Sequence, residues 1–232
     1  MVKLNIINFD KLASKSKSEI KYKNKHPMLP QHPFRLLING SSGSGKTNLL
    51  MNMILRWLYF DKLYVFSKHL EQPKYVKIQE FFDDVAEKTG ESILETGNDI
   101  EDIVSIDDLD DTQQNLIIID DFVTEKNQKC IADLFVRGRH KNASVIYISQ
   151  SYFRTPRDIR LNCSYFVFYS LNQNKKELSL IYNDLGSDIE KDVFIKMALA
   201  ATNVKFDFFL IDKTTEYKKL RYRQNFDSLY FD

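Results

Sequence analysis

The chain has 232 residues, 43% hydrophobic and 28% charged, with a formal net charge of +1; this excludes a disordered polymer and suits one buried core. No apolar run approaches the roughly twenty residues of a membrane span. The start, Met1-Val2-Lys3-Leu4-Asn5, carries no secretory apolar stretch, so the expected place of action is inside a cell or virion.

The near-neutral balance hides a segregation along the chain. Residues 1–25 carry seven Lys against Asp10 and Glu19, residues 81–111 hold twelve acids and only Lys88, and residues 131–160 carry five Arg and one Lys against Asp133 and Asp158. The balance as a whole does not advertise nucleic-acid binding, but it leaves room for a local basic face. The expected division is a basic, peripheral arm over residues 1–32 and a phosphate-binding domain over 33–232. Prolines 27, 30 and 33 forbid a helix at the junction.

The first strand, Phe34-Arg35-Leu36-Leu37-Ile38-Asn39, runs into Gly40-Ser41-Ser42-Gly43-Ser44-Gly45-Lys46-Thr47, a complete G-x-x-x-x-G-K-T pattern. The glycines let successive backbone N–H groups point inward at phosphate oxygens, and the helix that follows, opening at Asn48, adds its positive dipole. Lys46 is placed for the β- and γ-phosphates and Thr47 for Mg²⁺. The apolar strand before the loop and the apolar helix Asn48 to Leu55 after it supply the context this pattern needs, so the chain is expected to bind a nucleoside triphosphate.

Further along, Leu63 to Phe66 reads as a strand and Lys74 to Lys88 as an amphipathic helix with Tyr75, Ile78, Phe81, Phe82 and Val85 on one side. The acidic segment 90–111 reads as a loop or small insertion. Leu116-Ile117-Ile118-Ile119 has the continuous apolar character of a central parallel strand buried on both faces. It ends in Asp120-Asp121, at the carboxyl edge where parallel sheets bind ligands. Asp120 is placed to hold Mg²⁺, directly or through water, and Asp121 to orient or deprotonate an attacking water.

A helix over 127–137 and a strand from Ala143 to Ser149 follow, and Gln150 emerges at the same edge, where a neutral amide can bond both a γ-phosphate oxygen and the lytic water. Arg137 and Arg139 precede that strand, whose seven residues span roughly 20 Å. Any phosphate they touch therefore belongs to another molecule, either a neighbour's nucleotide or a nucleic-acid backbone. Arg154, Arg157 and Arg160 follow Gln150, with Pro156 opening a short helix. Tyr165 to Tyr169 is a fifth strand, helical periodicity covers 174–185 and 188–200, and Phe206 to Ile211 is the last strand. The alternation of strands and helices predicts an α/β fold with a mostly parallel, doubly wound sheet flanked by helices. Cys130 and Cys163 lack metal spacing and read as reduced core residues, and the four histidines show no metal or triad spacing.

Together, Gly40 to Thr47, Leu116 to Asp121, the Arg137-Gly138-Arg139-His140-Lys141-Asn142-Ala143-Ser144-Val145-Ile146-Tyr147 segment and Ser149-Gln150 resemble the poxvirus-type genome-packaging ATPases of large DNA viruses, within the FtsK/HerA-like group of DNA translocases. The resemblance covers residues 33 to 212. It implies a RecA-like P-loop NTPase fold and ATP with Mg²⁺ as cofactors, Lys46 and Thr47 serving ATP and Mg²⁺. Asp120 would serve the metal, Asp121 the catalytic acid position, Gln150 the γ-phosphate sensor, and Arg137 or Arg139 the arginine supplied in trans. It also implies double-stranded DNA as partner, a ring of five or six copies, capsid or portal-like vertex proteins, and work in the host cytoplasm, viral factory or virion. Asp121 is one methylene shorter than the Glu many relatives carry.

Two other classes compete. A GTPase-like switch would carry D-x-x-G and N-K-x-D, but Asp120-Asp121-Phe122-Val123 lacks the Gly and Asn174-Lys175-Lys176-Glu177 lacks the Asp. A nucleotide kinase would use Arg154, Arg157 and Arg160 as a phosphate clamp and release a phosphorylated small molecule.

Overall fold

The computed structural model describes residues 24–171, 175–186 and 188–229. Residues 1–23 of the expected basic arm, and Asn174 at the start of one expected helix, lie outside the described residues. The described residues build one nine-stranded sheet in the order β3-β2-β4-β5-β1-β6-β7-β8-β9. Its strands are β1 Arg35–Asn39, β2 Lys62–Ser67, β3 Leu94–Gly97, β4 Asn115–Asp120, β5 Ala143–Ser149, β6 Tyr165–Tyr169, β7 Phe208–Asp212, β8 Tyr222–Gln224 and β9 Ser228–Leu229. Strands β1 to β6 pair in parallel, while β6–β7, β7–β8 and β8–β9 pair antiparallel. The expected mostly parallel sheet is therefore present.

The two-residue side-chain period of each strand divides the core in two. Leu37, Phe66, Ile117 and Tyr147 face a cluster closed by α3 Lys129–Arg137, α4 Arg157–Asn162, α5 Lys175–Leu185 and α6 Lys191–Ala201. Leu36, Ile38, Val65 and Ile118 face the other cluster, closed by α1 Lys46–Asn52 and α2 Pro73–Thr89. Helices thus cover both faces, which is why the central strands are apolar without alternation. Among the described residues no helix is long and apolar enough to cross a membrane.

Several local expectations are corrected. Segment 90–111 contains β3, which among the described residues pairs with β2 alone, as well as two 3₁₀ turns. An edge strand needs only a partial apolar face, and Glu95 and Thr96 of β3 are exposed. Phe81 is exposed rather than on the buried side of α2, which buries Tyr75, Ile78 and Phe82. The last expected strand begins at Phe208, and β8 and β9 extend the sheet beyond it. The buried Arg223 of β8 ties them in, donating to Asp212 at 3.0 Å and to the carbonyls of Met28 and Phe226.

The end of the expected arm is not peripheral. Leu29 is buried, and His32 is enclosed between Asn142 Oδ1 at 2.8 Å and Ser144 Oγ at 2.7 Å. Burial holds the His32 imidazole below its ordinary pKa, with the bond to Asn142 opposing. The neutral ring is therefore the folded form, and protons bind more readily to the unfolded chain. Stability should be complete above the ordinary imidazole pKa of about 6.5 and fall as the pH drops from there towards the lower folded value. Thermal melts across this range should show that loss, and His32→Gln should flatten it while lowering the melting temperature at neutral pH. Equal slopes in both proteins would show that His32 does not titrate in folding.

Candidate functional site

Register sets the site. Asn39 of β1 pairs with Ser149 of β5, and Ile148 of β5 pairs with Asp120 of β4, so three adjacent parallel strands stop at one edge. With strands about 4.8 Å apart, the loop after β1 and the carboxylates after β4 lie about 10 Å apart, with Gln150 between them. Gly40 N–H donates to Ser149 O at 3.2 Å and locks the start of the loop to that edge.

The phosphate loop has the backbone its glycines allow. Gly43 and Gly45 have φ of +73° and +112°, where a side chain is strained. At Gly40 a Cβ would come within 2.6 Å of Tyr169 Cβ and 2.8 Å of Ser44 Oγ, so close approach requires glycine there. Lys46 Nζ donates to the carbonyls of Gly40 at 2.6 Å and Ser41 at 2.9 Å. Burial pushes its pKa down, and the charges of Asp120 and Asp121 partly offset this.

A cleft of about 640 Å³ gathers Ser42 to Asn48, Asp120, Asp121 and Gln150. Gly40 and Ser41 stand behind it, holding Lys46. The expected nucleotide residues are therefore brought to one place. The arginines are not among the residues lining the cleft. Arg137 and Arg139 lie at the opposite edge, where Arg137 is paired with Asp107 at 2.6 Å and Arg139 is exposed. Of the kinase-type clamp, Arg160 is tied to Asp184 at 2.8 Å and lies 4.8 Å from the centroid of the Tyr152 ring, while Arg157 is exposed. Arg157 and Arg160 thus form no shared face towards the cleft.

Four residues not singled out for the site by pattern complete its surroundings. Tyr75, the buried residue near the start of α2, donates its hydroxyl to Asp120 Oδ2. His69 Nε2 stands 3.3 Å from Asp121 Oδ2, and its Nδ1 stands 3.3 Å from Glu71 Oε1. Asp121 itself sits at φ 65°, a left-handed turn that carries its carboxylate out of the strand line. Glu177 of α5 accepts from the backbone N–H groups of Tyr152 and Phe153, fixing the turn that follows Gln150. A signal for His69 was present: it lies two residues past Ser67, which pairs with Asp120. Tyr75 and Glu177 arrive from distant helices and leave no such trace.

Burial pushes the Asp120 carboxyl above its ordinary pKa; the Tyr75 hydroxyl opposes this, Asp121 adds to it, and Lys46 and His69 oppose it more weakly. The part-buried, under-compensated Asp120 carboxylate lines the same cleft as Thr47 and offers hard oxygen ligands, and a divalent cation would supply the missing counter-charge, so these residues fit Mg²⁺. Among the described residues no cluster of three or more His, Cys, Asp or Glu could hold a metal by itself. Waters and phosphate oxygens would therefore complete the shell, as Mg²⁺ prefers.

Residues 19–215 match the model of the family described as Poxvirus A32 protein. The chain belongs to that family. Over 155 residues it is 24% identical to the DNA packaging protein OPG160 of Variola virus and of Vaccinia virus strain Copenhagen, covering 62% of this chain and 56% of the relatives. The chain thus spans little more than half the length of the curated relatives it matches. Among solved structures, it is similar to the genome packaging NTPase B204 from Sulfolobus turreted icosahedral virus 2 in complex with AMPPCP. The TM-score is 0.57 at 14% identity, over 80% of this chain and 95% of that one. The sulfate complex of the same NTPase gives 0.55. The likeness establishes the P-loop NTPase fold.

The Tyr75 contact yields a test. Tyr75→Phe removes a donor to a part-buried carboxylate, at a cost of about 1.5 to 3 kcal/mol of stability. It should weaken Mg²⁺-dependent binding of an ATP analogue by about 10- to 100-fold, with little effect on metal-free binding. It should also raise the pH needed for metal-dependent binding, because the hydroxyl favours the charged carboxylate. Titration with and without Mg²⁺ at several pH values checks this; an unchanged Mg²⁺ dependence would remove Tyr75 from the site.

Proposed function

We propose that this protein is an ATPase that drives double-stranded DNA into a preformed viral capsid, working as a ring of five or six copies. One observation carries the reading: phosphate loop, paired carboxylates and strand-end amide share a single cleft, with Arg139 exposed at the far edge of the sheet. The names of the relatives, a DNA packaging protein and a genome packaging NTPase, support the same reading.

In this reading the loop N–H groups and Lys46 hold the β- and γ-phosphates of ATP, and Thr47 and Asp120 hold Mg²⁺. A cation held by Thr47 and Asp120 would supply positive charge to offset the negative charge of the phosphates. Asp121 orients or deprotonates the attacking water. His69, braced against Glu71, steadies a carboxylate one methylene shorter than glutamate. Gln150 bonds the γ-phosphate and the water without adding charge. Arg139 is supplied in trans to the neighbouring copy, because Arg137 already spends its guanidinium on Asp107. Capsid or portal-like vertex proteins are the partners, and the viral factory or host cytoplasm is the place.

ATP hydrolysis measured with and without long duplex DNA tests the proposal. DNA should stimulate turnover, and Lys46→Ala should lower it by at least about a hundredfold. Arg139→Ala should lower it by about a thousandfold, and mixing the two variants should restore part of the activity, since each lends what the other lacks. Mixtures no more active than the separate variants would overturn the shared site, and phosphate transfer to a small molecule in place of release would overturn the motor.

A further inference from the structure

The cleft extends beyond the phosphate chemistry. On the flank of β1 away from β5 and β4, it is lined by Trp57, Tyr169, Phe206 and Phe208. Tyr169 ends β6 and pairs with Phe208 at the start of antiparallel β7, so both rings stand at the edge that carries the phosphate loop. They pack edge to face, 5.4 Å apart, and are buried. Trp57 arrives from the π-helical turn Met53–Trp57 that closes α1.

Phe206 differs from these in two ways. It is 58% exposed, and its φ is 76°, a left-handed conformation that bulky residues rarely adopt. The turn is held in place: Asp207 N–H donates to Val204 O at 3.1 Å, and the Asp207 carboxylate accepts from Gln224 at 2.7 Å and Asn225 at 3.0 Å. The ring lies on the phosphate loop itself, since a Cβ at Gly45 would come within 3.2 Å of Phe206 Cδ1. Lys205 Nζ stands 4.9 Å from the ring centroid.

A nucleoside triphosphate has a polyanionic end and a flat aromatic end. The cleft has the same polarity, with Lys46, Asp120 and Gln150 at one flank of β1 and aromatic side chains at the other. Resting on the nucleotide-hydrolysis reading above, we infer that Phe206 is the stacking platform for the nucleobase, with Trp57 lining the same compartment. The base is recognised by its face. Stacking of this kind tolerates any purine because every base has a π surface.

Trp57 is the single tryptophan of the chain, so its fluorescence reports this compartment without reference to turnover. A non-hydrolysable ATP analogue should change that fluorescence, and inorganic tripolyphosphate, which lacks a base, should bind without doing so. Phe206→Ala should weaken both ATP and GTP analogues by about tenfold or more and leave tripolyphosphate affinity unchanged, while Phe206→Tyr should keep wild-type affinity. Unchanged analogue affinity in Phe206→Ala would overturn the inference. So would an equal loss for tripolyphosphate, which would show that the ring only props up Gly45. Lys46→Ala should lose both ligands, and retained binding there would bring down the nucleotide reading itself, whatever Phe206 does.

Discussion

The parallel register of β1, β5 and β4 is the constraint on which the rest depends. Parallel neighbours point their carboxyl ends the same way, so the loop after β1, the amide after β5 and the carboxylates after β4 meet without any long-range reach by a side chain. A slip of two residues in β4 would move Asp120 about 7 Å along the strand and keep the same face buried. The part-buried hydrogen bonds at both ends resist it. At one end, Asn115 donates to the carbonyls of Asp110 and Lys141; at the other, Tyr75 holds Asp120.

Charge placement follows from that geometry. Lys46, Asp120 and Asp121 are concentrated where the sheet edge partly excludes water: the two carboxylates hold the lysine proton, and the lysine opposes protonation of Asp120. Tyr75 and His69 act on this cluster from outside, one as a neutral donor and one as a partner bridging to Glu71. In the function proposed for this site, a polyanion taken up together with a divalent cation would complete a charge set that the protein leaves unbalanced.

The far edge of the sheet has the opposite character. Arg137 is anchored to the acidic segment through Asp107, and Lys141 donates to the carbonyls of Asp107 and Leu109. Part of the charge segregation along the chain is thereby resolved: the acidic run folds against the basic one and fixes the turn that carries Arg139. His32 and Asn142 lock the same turn from the β1 side, with Asn142 in a left-handed cap. The arginine-bearing turn is thus held by contacts from both sides.

Much of the cleft was legible in the sequence, for a physical reason. A phosphate loop and a strand-terminal carboxylate pair depend on local backbone rules: glycine where φ is positive, a continuous apolar run where both faces are buried, charge where the run stops. Those rules made Gly40 to Thr47, Asp120, Asp121 and Gln150 readable together with β1, β4, β5 and β6. What depends on approach between distant segments was decided only by tertiary structure. Tyr75 reads as an ordinary helix core residue until α2 docks over the end of β4, and Phe206 reads as a strand residue until its turn folds onto Gly45. Strand β3 and the β8–β9 extension were equally hidden, since an edge strand with one neighbour and few apolar residues carries little period of its own. Periodicity reports which face of an element is buried; it says nothing about which partner buries it, and in this protein that partner sets the hydrogen bonds and ring contacts around the cleft.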